Sequence, residues 1–243
     1  MSEATRRERL RAETEREIRA SARELLVREG REAVTLRAIA RELGITAPAL
    51  YRYYDSREAL LVALCQDICA DLAADLRAAI DRVGQDQPAE RVFAACWGFR
   101  RWALAHPHEF ALVFARPSAG EPAPTGHELG RDEFGRAFLE VVLPLFVSAR
   151  IWVPADDTVP TELHDDLLRF REMLAETLGG SSPARELSIG AIFLMLQSWA
   201  RLYGHVALEV FGQLDFAVSS SEPLFESMLA GLAEEVGLTP SMH

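Results

Sequence analysis

Between Thr35 and Arg57 the chain gathers side chains that bond phosphate oxygens or base edges. Thr35, Thr46, Tyr51 and Tyr53 carry hydroxyls, and Arg37, Arg52 and Arg57 carry guanidinium forks. Ala47, Pro48 and Ala49 offer only methyl and ring surface, which suits thymine methyls better than hydrogen-bonded readout. Arg37 is the candidate for a bidentate pair with guanine, worth ~1–3 kcal/mol of discrimination; its other reading is a solvated or phosphate-bound Arg. Arg52 fits a base or a phosphate equally. Tyr54 fits either a phosphate contact or a place in the core. Arg6, Arg7, Arg9 and Arg11 either track a nucleic-acid backbone or, interleaved with Glu8 and Glu13, make an ordinary solvated helix start.

A second set of chemistry-bearing residues is apolar and aromatic. In 88–105, Val92, Phe93, Cys96, Trp97, Ala103 and Leu104 share one arc at helical period, and Arg100 falls inside it. A cation on an apolar stripe is costly unless paired. Arg100 therefore has a buried carboxylate partner, snorkels to an edge, or contacts a ligand. With Cys96, Trp97 and Arg100, the aromatics Phe110, Phe114, Phe138, Trp199 and Tyr203 are candidates to line an apolar ligand cavity, Phe134 near them. Cys65, Cys69 and Cys96 have no converging His cluster, so they read as small core residues and no metal site is expected. The chain has no G-x-S-x-G, no phosphate-binding Gly-rich loop and no H-E-x-x-H, so no cofactor and no enzyme activity are expected.

The elements that must position these groups are all helical in pattern. Helical period runs through nearly every segment, and no stretch alternates at period two. Helices are expected at 6–29, 36–43 with Thr35 as its cap, 47–53, 56–83 opened by an Asp55–Glu58 capping box, 88–105, and a short one to about 115. A Pro/Gly-rich loop at 116–126 precedes a helix opened by Thr125 and Glu128 and running to about 149, with a kink expected at Pro144. Helices at 161–178, 183–211 opened by Pro183, and 223–236 opened by Pro223 complete an all-α chain of nine or ten helices.

Residues 35–54, TLRAIARELGITAPALYRYY, have the spacing of a helix-turn-helix. Ala40 is small enough for a steep helix crossing, and Gly44 tolerates the left-handed turn. Ile39, Leu43, Ile45 and Leu50 sit where the pair must be pinned to its domain. The second helix of such a pair enters the DNA major groove. With the Ser56-Arg57-Glu58-x-Leu60 start of the next helix, residues 6–62 resemble the DNA-binding domain of the tetracycline-repressor (TetR) family. SWARLYGHVALEVFG, 198–212, is similar to the C-terminal helix of a TetR subgroup in which Trp is followed by an aromatic or His before Gly. The resemblance implies an N-terminal three-helix DNA-binding domain, 1–57, joined by a long helix to a helical ligand-binding and dimerisation domain within 58–243. It also implies phosphate clamping by several of Thr35, Tyr51, Tyr53, Tyr54 and Arg57, and a homodimeric repressor released from DNA by a small, largely apolar effector.

Charge supports that division. The formal net charge of −11 looks unsuited to DNA, yet residues 1–57 carry +3 and residues 58–243 carry −14. Ile189, Phe193, Leu196, Val206 and Val210 in helix 183–211 and Phe225, Met228 and Leu232 in helix 223–236 form wide apolar stripes. Burial inside one chain would account for them; a four-helix bundle with a second copy accounts for them and for two reading heads. No apolar run approaches the ~20 residues that span a bilayer, and no signal peptide is visible, so a cytoplasmic protein with no membrane partner is expected. The alternatives are a constitutive or co-repressor-activated regulator, and a helical protein–protein module that keeps the helix-turn-helix as scaffold.

Overall fold

A computed structural model describes residues 3–115, 133–148, 151–179 and 183–238, with side chains from Arg6 onward. Ten α-helices follow in order: α1 (Glu3–Glu29), α2 (Leu36–Glu42), α3 (Ala47–Leu50), α4 (Arg57–Ile80), α5 (Pro88–Ala105), α6 (Pro107–Phe114), α7 (Glu133–Val147), α8 (His164–Thr177), α9 (Ile189–Val210) and α10 (Glu222–Glu235). Single 3-10 turns lie at Arg31–Ala33, Asp156–Thr158, Thr161–Leu163 and Pro183–Glu186. Among the described residues there is no strand, and the fold is all-α as the periodicity requires. The loop at 116–126 and the Thr125–Glu128 start lie outside the described residues.

Helix ends follow side-chain caps. Thr35 Oγ1 accepts from the Ala38 amide at 3.2 Å, as the sequence suggests. At α4 the cap is Ser56, whose Oγ accepts from Ala59 N at 3.1 Å; the expected Asp55–Glu58 box is not used. Pro183 opens only a 3-10 turn. The long helix starts six residues later, where Ser188 Oγ accepts from Ala191 N at 3.1 Å. Gly190 explains that start. Its amide donates to Asp156 Oδ1 at 2.9 Å, and a Cβ there would stand 1.9 Å from the Pro154 carbonyl oxygen. Only glycine lets the first turn of α9 press against that backbone. Pro144 sits within α7, which continues to Val147.

The chain packs as two units. One comprises residues 1–69 and 106–127; the other comprises 70–105 and 128–243. Helix α4 is shared, because one continuous helix begins in the first unit and ends in the second. Helix α6 belongs to the first unit, where it packs on α1. The buried carboxylate of Glu109 on α6 accepts from Arg23 Nε on α1 at 2.5 Å. The core of the first unit is Ile18, Leu25, Leu26, Ile39, Leu50, Leu60, Leu64 and Phe110. In the second unit α5 packs on α7 and α9 around Phe99 and Phe134, while α8, α9 and the end of α7 enclose Leu143, Leu167, Leu174 and Ile192.

Candidate nucleic-acid interface and apolar cavity

In the first unit α2 and α3 form a tight pair. Gly44 takes φ +65°, and Ile45 N donates to the Ala40 carbonyl at 2.9 Å, closing the turn over a buried Ala40. Leu36, Ile39 and Leu50 hold the pair on the core. Ile45, expected among the pins, lies at the surface with 36% exposure, because the turn that starts at Gly44 carries it outward. Thr46 precedes α3 in extended backbone, is exposed, and its hydroxyl makes no cap bond. Ala47 and Ala49 are half-buried and Pro48 is exposed at the start of α3. Arg37, Arg52 and Tyr51 are exposed, and neither arginine forms an ion pair with a described residue.

Three neighbouring residues have other duties. Arg57 Nε donates to the Val34 carbonyl at 2.8 Å and its Nη2 to the Arg31 carbonyl at 2.7 Å. Its guanidinium thus fastens the start of α4 to the turn before α2. Tyr54 belongs to the core and its hydroxyl accepts from Arg19 Nη1 at 3.2 Å. Tyr53 is half-buried, with the Arg11 guanidinium 5.8 Å from its ring centre. Beside the pair, Arg28 and then Ser21 hydrogen-bond to Glu42 and hold its carboxyl below the ordinary carboxylate range.

In the second unit α5, α7, α9 and α10 surround a cavity of about 120 Å³. Its walls include Val92, Phe93 and Cys96 from α5, Phe138, Leu139 and Val142 from α7, Met195, Ser198, Trp199 and Leu202 from α9, and Leu229, Leu232 and Val236 from α10 and its end. Of the expected lining residues, Cys96, Phe138 and Trp199 meet here; Trp97, Arg100 and Tyr203 are not on the wall. Phe110 and Phe114 belong to the first unit, where their rings lie 5.0 Å apart, and they are not on it either. Tyr203 stacks on the far side of Trp199 at 5.8 Å. Periodicity identifies apolar faces, but it does not tell which turn of a face stops short of its neighbour and leaves space.

Arg100 resolves in favour of a buried ion pair. Its Nε and Nη2 reach the Glu209 carboxylate at 2.8 and 2.9 Å, and Nη1 reaches Glu222 at 3.3 Å. Ser221 donates a further hydrogen bond to Glu209. The guanidinium lies between the Trp97 and Phe225 rings, 5.4 and 5.2 Å from their centres. Hydrogen bonding to Glu209 raises the guanidinium pKa above its ordinary value. Sequence reasoning placed the cation on the stripe but did not single out Glu209, which sits 109 positions away.

Comparison with known proteins finds two family matches along the chain. Residues 18–64 match the family described as bacterial regulatory proteins, tetR family, and residues 92–232, more than half the chain, match the tetracyclin repressor-like C-terminal domain. The chain belongs to the TetR family. It is 31% identical over 192 residues to the HTH-type transcriptional regulators Mb1846 of Mycobacterium bovis and Rv1816 of Mycobacterium tuberculosis, covering 79% of this chain and 78% of each relative. Its fold is similar to the crystal structure of the regulatory protein SCO4313, with a TM-score of 0.64 at 28% identity over 93% of this chain and 98% of that one. A protein from Rhodococcus sp. RHA1 shares the fold at a TM-score of 0.56 and 23% identity, over 90% of this chain and 95% of that one. TetR proteins are transcription regulators rather than enzymes, and this one is a DNA-binding regulator.

On this TetR chain the stripes of α9 and α10 divide between inside and outside. Val206 and Phe225, expected at a subunit interface, are wholly buried within the chain, Phe225 beneath Arg100 and against Trp97 at 4.9 Å. Leu232 lines the cavity; Ile189, Phe193 and Leu196 pack against the α8–α9 core; Met228 and Val210 are half-buried. The outward apolar residues are Leu208 and Phe211 at the end of α9, Phe216 in the connection, and Leu224 at the start of α10. Leu208 escapes the sequence reading because a stripe wider than one neighbour leaves its centre undetermined.

The TetR cysteines are all buried. Burial pushes the thiols of Cys65 and Cys96 up to about 12. At pH 8 a disulfide reagent is therefore expected to leave both unmodified in the folded protein and to label them once urea unfolds it. Stoichiometric labelling within seconds under native conditions would contradict that burial.

Proposed function

We propose that this TetR regulator represses transcription by binding a near-palindromic operator as a homodimer in the cytoplasm, and that a small, largely apolar effector releases it. The observation that carries this reading is the apolar cavity between α5, α7, α9 and α10, in a unit joined to the reading head by continuous helix. Among the described residues no helix is long and apolar enough to cross a membrane. Thr46, Ala47, Pro48 and Ala49 at the tip of α3 face the major groove, with Arg37 on a base. Thr35, Tyr51, Arg52 and Tyr53 are the phosphate or flanking contacts. Leu208, Phe211, Leu224 and Met228 meet the second copy.

Two covalent routes join the second unit to the head. Helix α4 runs from one unit into the other. Helix α5, three of whose residues wall the cavity, passes at His106 into α6, which is tied to α1 by the Glu109–Arg23 pair. An effector that binds one head spacing better than the other shifts the pair of heads away from one turn of DNA.

Arg37→Ala and Arg57→Ala separate reading from fastening. Arg37→Ala is expected to relax preference at one operator position by ~1–3 kcal/mol and leave melting unchanged. Arg57→Ala is expected to lower the melting temperature, since two carbonyls lose their donor. Binding isotherms on operator variants, beside thermal melts, check both. Loss of DNA affinity from Arg57→Ala with an unchanged melt would return Arg57 to the phosphate contacts.

A further inference from the structure

We propose that the effector of this cavity is an uncharged molecule with an apolar body and a single hydrogen-bonding group, and that Ser198 is the residue that selects that group. This rests on the reading of the cavity as the effector site.

Of the described side chains on the wall, Ser198 alone carries a hydroxyl; the others are aliphatic, aromatic or glycine, apart from the Cys96 thiol, the Met195 thioether and the indole N–H of Trp199. That thiol is a weak donor and stays protonated, so it adds no charge. Among the described residues, no ionisable carboxylate, guanidinium or imidazole lines the space. The buried charges of the second unit, Arg100 and Glu209, are not on the wall and satisfy each other with three hydrogen bonds. A carboxylate or ammonium brought into the cavity would lose its water and find no counter-ion, and a guest with several polar groups would leave most of them unpaired.

Ser198 is set apart by its own bonding. A helical serine commonly returns its hydroxyl to the carbonyl one turn back. In this structure the Ser198 hydroxyl makes no hydrogen bond to any described residue, and the residue is half-buried on α9. It offers one donor and two lone pairs at a single place on an apolar surface. That matches one alcohol, aldehyde or ketone oxygen. Trp199, the next residue, and Phe138 lie edge to face at 5.9 Å and give the apolar body a rigid wall.

The test uses the full-length protein and a graded probe series: primary n-alcohols from butanol to decanol, with the carboxylates and primary amines of the same lengths. Binding is read from tryptophan fluorescence. The expected result is saturable binding of alcohols with an optimum length, ~100-fold tighter than the matched carboxylate or amine. Ser198→Ala is expected to weaken the best alcohol about fivefold at unchanged melting temperature, and Ser198→Thr to retain most of it. Carboxylate or amine binding as tight as the alcohol would overturn the proposal. So would an alcohol affinity indifferent to Ser198→Ala, or no alcohol binding at any length. Fluorescence anisotropy of a promoter fragment separates this from the effector reading. An alcohol that binds with the Ser198 dependence but leaves DNA affinity unchanged defeats release by effector, and the chemistry of the cavity stands.

Discussion

Glu209→Ala is expected to lower the unfolding free energy by about 3–5 kcal/mol, a large share of what holds a domain of ordinary stability. The side chain of Glu209 is 1% exposed and receives both donor arms of Arg100. Removing it leaves a guanidinium between two aromatic rings with only Glu222, on the solvent side, at 3.3 Å. Replacing both partners by apolar residues, as in Arg100→Met with Glu209→Leu, removes the desolvation cost together with the attraction. The double variant is therefore expected to recover most of the loss. Urea unfolding of the four proteins of this cycle measures the effect. A single-variant loss below about 1 kcal/mol would mean that water reaches the pair and that it behaves as a surface bridge.

The second large effect concerns assembly. Leu208→Glu combined with Phe211→Glu places two carboxylates on the outward end of α9, where apolar side chains are exposed in the single chain. Sedimentation is expected to show a monomer, with helix content unchanged. A monomer engages one half-site at a time, so operator affinity is expected to fall by roughly 10²–10⁴, the gain that linked binding gives two heads. A variant that remains dimeric would move the interface elsewhere. A monomer that binds the operator undiminished would show that one head suffices.

Much of this was legible in the sequence because it is local. Thr35, Gly44 and Ala40 act within a few residues of themselves, so cap, turn and helix crossing follow from spacing. Other features depend on partners far along the chain. Glu209 meets Arg100 across 109 positions, and Gly190 is required by the Pro154 carbonyl, so neither could be read from its own neighbourhood. The start of α9 was misplaced for that reason: a proline signals where a helix can open, whereas packing against Pro154 decides where this one does. Arg57 shows the same limit at the interface. Its type and position suit phosphate, and its bonds to two carbonyls of its own unit depend on the folded turn before α2. The cavity was half legible. Cys96, Phe138 and Trp199 follow from apolar arcs, while the contribution of α10 through Leu229, Leu232 and Val236 needs the tertiary packing.

The account stands on the link between that cavity and DNA. Cys96→Trp fills the cavity from its α5 wall with the protein's own atoms. The decisive measurement is the affinity of wild type and Cys96→Trp for a promoter fragment carrying an inverted repeat, at two salt concentrations, with melting curves to establish that the variant is folded. The account predicts salt-dependent binding by the wild type, at least about tenfold weaker binding by the folded variant, and no further response of that variant to any cavity probe. A folded Cys96→Trp protein that binds DNA as the wild type does, and still answers to a probe that releases the wild type, would contradict it.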